Sequence, residues 1–170
     1  RYPFGTGWLG RDMLARSLAG LSMSIRLGLC TAGIGALLAL ALGSGAALLG
    51  KRGDACISFV IDAVLGNSHI LLLILISYAC GKGFKGVVLG VSLTHWPALA
   101  RLIRAEVLQL RESEYVLAAG KLGAGKMRIA LRHLLPHLLP QFAVGLILMF
   151  PHAVLHEAGI TFLGFGLPPE

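Results

Sequence analysis

Long apolar segments alternate with short polar ones along this chain. The first charge-free stretch, 27–50, has 24 residues and no proline. As a helix rising about 1.5 Å per residue it would reach roughly 36 Å, enough to cross about 30 Å of membrane hydrocarbon with some tilt. Three more apolar stretches follow at 63–81, 86–100 and 133–156. The pattern therefore predicts an all-α membrane protein built as a bundle, with four transmembrane helices in this sequence.

The polar segments between these stretches predict the connections. Lys51–Asp54 and Lys82–Lys85 are expected to be turns, and Arg1–Ser24 a weakly amphipathic N-terminal segment. Within the first span, small residues recur at every fourth position, which favours close approach of another helix. This stripe consists of Thr31, Gly35, Ala39, Gly43 and Ala47.

Composition supports the membrane assignment. Of the 170 residues, 56% are hydrophobic and only 14% charged, whereas soluble domains carry nearer a quarter. The net charge of +7 would suggest nucleic acid in a soluble protein, but no aromatic-basic RNA motif accompanies it, and basic residues are typical of cytoplasmic loops. Three widely spaced cysteines match no disulfide-exchange or zinc pattern. Because the chain begins at Arg1 without a Met or a signal peptide, we expect an internal fragment of a longer membrane protein.

A polar island at 101–132 interrupts the apolar sequence. Alternation of the four spans puts this island and Lys51 on one side of the membrane. That side carries more Lys and Arg than the other, which predicts that it is cytoplasmic. Its nine basic residues are Lys51, Arg52, Arg101, Arg104, Arg111, Lys121, Lys126, Arg128 and Arg132, against six on the other side, Arg1, Arg11, Arg16, Arg26, Lys82 and Lys85.

The island has its own helical pattern. Ser113 is expected to cap a short helix, glycines between 120 and 125 predict a bend, and Pro136 is expected to end a second short helix. The two apolar faces are Tyr115, Ala118, Ala119 and Leu122 in the first helix, and Met127, Ala130, Leu131 and Leu134 in the second. Small residues suit insertion into a groove of a soluble partner; a hairpin lying on the lipid headgroups is the alternative.

Two sequences that suggest enzymes are rejected. Gly120–Lys126 matches G-x-x-x-x-G-K, but Met127 follows where a P-loop needs Ser or Thr, and a helix rather than a strand precedes it. His156-Glu157 could begin H-E-x-x-H, but Ile160 stands where the second His is required. We therefore expect a protein that is not an enzyme and binds no cofactor itself.

Ala118-Ala119-x-x-x-Gly123, followed by Leu135-Pro136, resembles the EAA loop of binding-protein-dependent ABC importer permeases. The wider similarity is to the peptide/nickel family of these permeases. Four further segments of this chain resemble motifs of that family, in the same order and register: Gly5–Asp12, Trp96–Arg104, Glu114–Val116 and Phe162–Gly166. Departures from the family pattern are Leu117 in place of the loop's Glu, Gly7 in place of Asp, and Asn67-Ser68 in place of Phe-Pro.

The resemblance implies one permease domain over 1–170, a fragment of a six-span subunit, with a cytoplasmic coupling loop at 101–136. ATP and Mg²⁺ would be bound by two separate cytoplasmic ATPase subunits; a second permease subunit and an extracytoplasmic binding protein would complete the importer. It would lie in a bacterial or archaeal plasma membrane and bind no nucleic acid. The residues implied in ATPase coupling are Glu114, Tyr115, Ala118, Ala119, Gly123, Met127 and Pro136.

Histidines suggest the substrate. His152 and His156 are four residues apart in the last span, so both should lie on one face, next to Glu157. Imidazoles suit Ni²⁺, Cu²⁺ or Zn²⁺, and polar residues inside a membrane usually mark a substrate path. The alternative is that these histidines hydrogen-bond neighbouring helices or lie at the outer interface. For His133 and His137 we expect a structural role rather than one in transport.

The histidine pattern also resembles the nickel-type permeases, as does His95 before Trp96. This implies a path for nickel or a nickel chelate past His95, His152, His156 and Glu157, with His152 and His156 as transient metal ligands. A dipeptide or oligopeptide permease is the alternative within the same family, and a passive channel is a third class.

Overall fold

The computed structural model describes residues 5, 10, 12–81 and 83–164, without the side chains of Ala47 and Lys126. Most of the N-terminal motif, Lys82, and Phe165 and Gly166 thus lie outside the described residues. The described part is helical apart from short connections, as predicted. Its elements are α1 (Met13–Leu48), α2 (Gly50–Gly66), α3 (His69–Ala79), α4 (Phe84–Arg111), α5 (Glu114–Lys121), α6 (Lys126–Ile129), a π-helical turn (Ala130–Leu134) and α7 (Leu135–Phe162).

Three described helical segments are long and apolar enough to cross a membrane. They are Met13–Ala46, Phe84–Arg111 and Met127–Phe162. A fourth crossing is possible if α2 and α3, which meet at 99°, count as one broken span. The observed number is therefore three, or four with the bent pair, against the four predicted.

The first helix begins earlier than the hydropathy pattern indicates. Asp12 precedes it, and its Oδ1 accepts a hydrogen bond of 3.0 Å from the Leu14 N–H. This capping satisfies one of the free donors of the first turn. The predicted separate N-terminal segment is thus wrong from Met13 onward, because those residues are the first turns of α1.

The predicted turn at Lys51–Asp54 is also wrong. The chain turns one residue earlier, where Gly50 has φ +82°, and the charged residues lie in the first turns of α2. The real interruption comes at Asn67 and Ser68. The Asn67 amide donates to the Ala63 carbonyl at 2.6 Å, a side-chain bond of the kind that competes with continued helix.

The small-residue stripe of α1 packs as predicted. Thr31, Gly35, Ala39 and Gly43 are buried, and α1 lies against both α4 and α7. At Gly43 the approach is so close that an added Cβ would lie 2.6 Å from the Ala100 carbonyl oxygen. The main core forms here, where the alanines of α1 meet Trp96, Leu99 and Ile103 of α4.

The prediction that a helix ends at Pro136 is wrong, because the last span starts before this residue and continues through it. Pro136 is the second residue of α7, where a missing N–H is tolerated. The π-helical turn at Ala130–Leu134 directly precedes it. In a regular α-helix the proline ring would clash with the carbonyl of Arg132, so a wider turn at this point lets the chain continue from the polar island into the span.

Candidate coupling segment and histidine cluster

Residues 113–134, which we call the coupling segment, fold as a helix, a glycine bend and a second short helix. After α5, Gly123 has φ +85°. The Gly123 N–H donates to the Gly120 carbonyl at 3.1 Å and the Ala124 N–H to the Ala119 carbonyl at 3.0 Å. These two bonds form a Schellman motif, which ends a helix with glycine in the left-handed conformation. The predicted bend is confirmed, and Gly123 is its centre.

The cap predicted at Ser113 is wrong in its chemistry, although α5 does begin at Glu114. The Ser113 hydroxyl donates backward to the Leu110 carbonyl at 2.5 Å and makes no capping bond to α5. It therefore ties the new helix to the end of α4. Glu114 lies in the first turn of α5, where a negative charge is favourable.

Most residues of the two predicted apolar faces are exposed and point away from the helical bundle, and Leu134 alone among them is buried. Leu122 is 88% exposed and Met127 72% exposed. Leu117, which occupies the position of the motif's Glu, is also exposed. The outward residues of the segment are Tyr115, Leu117, Ala118, Leu122, Met127 and Leu131. Such a concentration of exposed apolar side chains at the end of a membrane bundle is typical of an interaction surface.

Two buried residues attach the segment to the bundle. Val116 in α5 and Leu134 at the end of the π-helical turn both belong to the main core, together with Val107 and Leu110 of α4. The coupling segment is consequently fixed at both ends while its bend is free of the bundle.

Two ion pairs join α4 to α2 in the half of α4 that leads into the coupling segment. Arg104 bonds Asp54 through two nitrogens, and the Nη2 to Oδ2 distance is 2.6 Å. Arg101 pairs with Asp62 in a more exposed position. Both acids belong to α2, so α2 is held beside the part of α4 that leads into the coupling segment.

Three histidines from three helices meet in a half-buried cluster. His69 begins α3, His95 lies near the middle of α4, and His156 lies toward the end of α7. Their ring centroids are 4.5, 4.7 and 4.7 Å apart, and the rings meet edge to face. One nitrogen of each ring lies within 4.8 Å of the other two. We call these residues the histidine cluster.

The other predicted path residues point elsewhere. His152 is exposed and is outside the cluster, its Nδ1 donating to the Leu148 carbonyl at 2.8 Å. Glu157 is buried; its carboxylate accepts from Thr161 at 2.9 Å and from Ser24 of α1 at 3.5 Å. The structure thus brings together His95 and His156 and leaves out His152 and Glu157.

His69 was missed by the sequence reasoning. It stands alone in an apolar stretch, and no spacing relates it to the other histidines. Its one signal is its position directly after Asn67-Ser68, where the span breaks.

Comparison with known proteins identifies the family of this bundle. Residues 34–169 match the sequence model of the binding-protein-dependent transport system inner membrane component family. The chain belongs to this family. It is accordingly a multi-pass component of the inner membrane and belongs to a family of transport components rather than enzymes.

Relatives extend over almost the whole chain. It is 40% identical over 98% of its length to a Brucella suis protein whose name describes a peptide transport system permease. It is 34% identical over 99% to a Brucella abortus protein named for a peptide permease, and 33% identical over 97% to the oligopeptide transport system permease protein of Bacillus subtilis. The chain spans 54–56% of the length of these relatives.

The names of these relatives refer to peptides or oligopeptides. The predicted family is confirmed, but none of the relatives described above is named for nickel or another ion.

Proposed function

We propose that this chain forms one permease domain of an ATP-driven importer for short peptides. The observation that supports the substrate most directly is the similarity, over 97–99% of the chain, to proteins named as peptide permeases. The chain itself would bind neither ATP nor a catalytic metal. Its task would be to line a membrane path and to open it alternately to the two sides.

The coupling segment would dock into a groove of a cytoplasmic ATPase subunit. Its exposed Leu122 and Met127 offer apolar contact area, and Ala118, Ala119 and Gly123 add little bulk between them. Glu114 and Tyr115 lie at one end of this surface, and Pro136 lies just beyond the other end of the segment. Movement of the ATPase would act through Val116 and Leu134, whose burial in the core joins the segment to α4 and α7.

The assembly that this function needs is larger than one chain. A second permease subunit would complete the path, two ATPase subunits would bind ATP and Mg²⁺, and an extracytoplasmic binding protein would deliver the peptide.

Nickel, free or chelated, is the second candidate substrate. It is favoured by the meeting of His95 and His156 with His69, since imidazole is a good ligand for Ni²⁺. A passive channel is disfavoured by the exposed coupling segment, because a channel that works without an ATPase needs no surface for docking one.

The test is transport by the full-length permease reconstituted with its partner subunits in proteoliposomes. Labelled di- and oligopeptides are compared with labelled nickel, with and without histidine as chelator, and an ATPase variant unable to hydrolyse ATP is the control. Peptide uptake that requires ATP hydrolysis is the expected result. Nickel uptake alone would replace the substrate, and uptake unaffected by the ATPase variant would contradict the importer.

A further inference from the structure

The histidine cluster has the donor set of a metal site with three protein ligands. Its members come from α3, α4 and α7 and are remote in sequence. Three imidazoles bind borderline divalent ions such as Zn²⁺, Ni²⁺ and Co²⁺ far better than they bind Mg²⁺ or Ca²⁺, which prefer oxygen ligands.

The hydrogen bonds of the rings leave lone pairs free for a metal. The Nδ1 atoms of His95 and His156 lie 3.0 Å from the Val91 carbonyl and 2.8 Å from the His152 carbonyl. A carbonyl oxygen can only accept, so each Nδ1 carries the proton, and in the neutral ring Nε2 keeps its lone pair. Donation from the second ring nitrogen to a backbone carbonyl is the usual support of a metal-binding histidine.

His69 supplies an independent observation. Its Nε2 is buried and has no hydrogen-bond partner among the described residues. A buried polar atom without a partner is uncommon, because it loses its bonds to water without replacement. An ion held between the three rings would satisfy it.

The dimensions are compatible with loading after a small contraction. The nitrogens lie within 4.8 Å of one another, and a tetrahedral ion with bonds of about 2.1 Å requires them about 3.4 Å apart. Rotation of half-buried side chains can supply this difference. Among the described residues no cysteine or carboxylate belongs to the group, so a fourth position stays open there, as it does in catalytic zinc sites with three protein ligands.

From this geometry we infer that His69, His95 and His156 form an exchangeable binding site for a borderline divalent transition-metal ion, which links α3, α4 and α7. The site does not depend on which cargo is carried. An ion bound there bridges the bent α2–α3 pair to the last span, so it stabilises one arrangement of these helices. The site differs from the pair predicted from spacing, since His69 replaces His152.

Metal binding by the full-length permease in its assembled complex tests this inference without any transport measurement. The complex is purified without a polyhistidine tag, stripped with a chelator, and dialysed against Zn²⁺, Ni²⁺ or Co²⁺, with Mg²⁺ as the unfavourable ion. Bound metal is counted, and the Co²⁺ absorption spectrum reports nitrogen coordination. One chelator-removable ion per copy of this permease is expected, and no ion above background in any of the three metals would overturn the site.

Variants separate the cluster from the neighbouring histidine. His69→Gln, His95→Gln and His156→Gln should each weaken binding by about 10- to 100-fold or more, because even supporting residues of metal sites have effects of that size. His152→Gln is the matched control on the same helix, and should bind as the unchanged protein does. Binding lost in His152→Gln but kept in His69→Gln would overturn the proposed ligand set.

Thermal stability provides a second readout on complexes shown to be intact by size-exclusion chromatography. An ion that binds only the folded protein raises its unfolding temperature. The unchanged complex and His152→Gln should be stabilised by Zn²⁺, and the cluster variants should not. Peptide uptake can fail while these results hold, and the reverse is equally possible, so the two proposals fail separately.

Discussion

Gly123 has a conformation that other residues adopt only at a cost. Its φ of +85° lies in the left-handed region, and a Cβ there would meet no atom within 4 Å. The penalty for a side chain is therefore one of backbone conformation rather than of space. Asn tolerates this region better than other residues with a Cβ.

Gly123→Ala should weaken coupling. The left-handed conformation costs about 1–2 kcal/mol for Ala, which lowers the equilibrium constant for forming the bend by about 5- to 30-fold. We expect peptide uptake per ATP hydrolysed to fall in reconstituted vesicles, with Gly123→Asn between Ala and the unchanged protein. Gly120→Ala is the control, because Gly120 lies within α5 without a left-handed φ. Equal coupling in all four proteins would argue against docking through this bend.

The two ion pairs of α4 should differ in strength. Arg104 holds Asp54 by two bonds with side chains 27% and 29% exposed, whereas Arg101 and Asp62 are 56% and 65% exposed. Double-mutant cycles on thermal unfolding should give about 0.2–1 kcal/mol for the exposed pair and about 1.5–3 kcal/mol for the bidentate pair. A larger coupling energy for Arg101 and Asp62 would contradict this ranking.

At the residue scale, what the sequence could predict depended on local pattern. The bend at Gly123 was predictable because a glycine directly after a short helix commonly ends that helix in the left-handed conformation. His95 and His156 were singled out, but their meeting with His69 depends on three helices packing together. No spacing in the sequence encodes such a contact. The spacing of four residues between His152 and His156 was the only pattern that suggested metal ligands, and it indicated His152 instead of His69.

At the scale of elements, α1 and α4 approach each other closely at Gly43. Gly43→Ala should destabilise the protein by about 1–3 kcal/mol, since its Cβ would press on the backbone of Ala100 and overpacking has costs of this order. Gly33→Ala is the matched control in the same helix, with nothing within 4 Å of its Cβ. There, the higher helix propensity of Ala should leave stability equal or improved. Thermal unfolding of both variants in the same detergent measures the contrast, and equal unfolding temperatures would argue against the close contact.

Helix existence was predictable from apolar length, but helix ends were not. Lys51 to Asp54 carry enough charge to indicate a turn, yet the tertiary bond from Asp54 to Arg104 lets them lie in a helix. Pro136 indicated a stop, yet the wider turn before it carries the chain into α7. In both places a contact or a local adjustment outside the pattern decided the boundary.

For the whole molecule, the number of spans is decided by the bent α2–α3 pair. Its contacts run antiparallel along α4. Asp54 pairs with Arg104, His69 meets His95, and Ser77 lies against Gly90. The pair therefore follows α4 from one end toward the other, which is the behaviour of a broken span.

A broken α2–α3 span puts the coupling segment on the same side of the membrane as the α1–α2 junction, and Cys80 on the opposite side. Cys80 is exposed just before α4, and Leu122 is exposed beyond its other end.

With Cys30 and Cys56 changed to Ser, a membrane-impermeant maleimide should label Cys80 in intact cells. With Cys80 also changed to Ser, Leu122→Cys should be labelled only in inside-out vesicles stripped of peripheral proteins, with labelling in detergent as the control for reactivity. If α2–α3 instead turned back without crossing, Cys80 would lie on the side of the α1–α2 junction, which is predicted to be cytoplasmic, and the coupling segment would face outward, where no ATPase could reach it. Labelling of Leu122→Cys in intact cells would therefore overturn the four-span arrangement and the docking proposal together, because both require the island to be cytoplasmic.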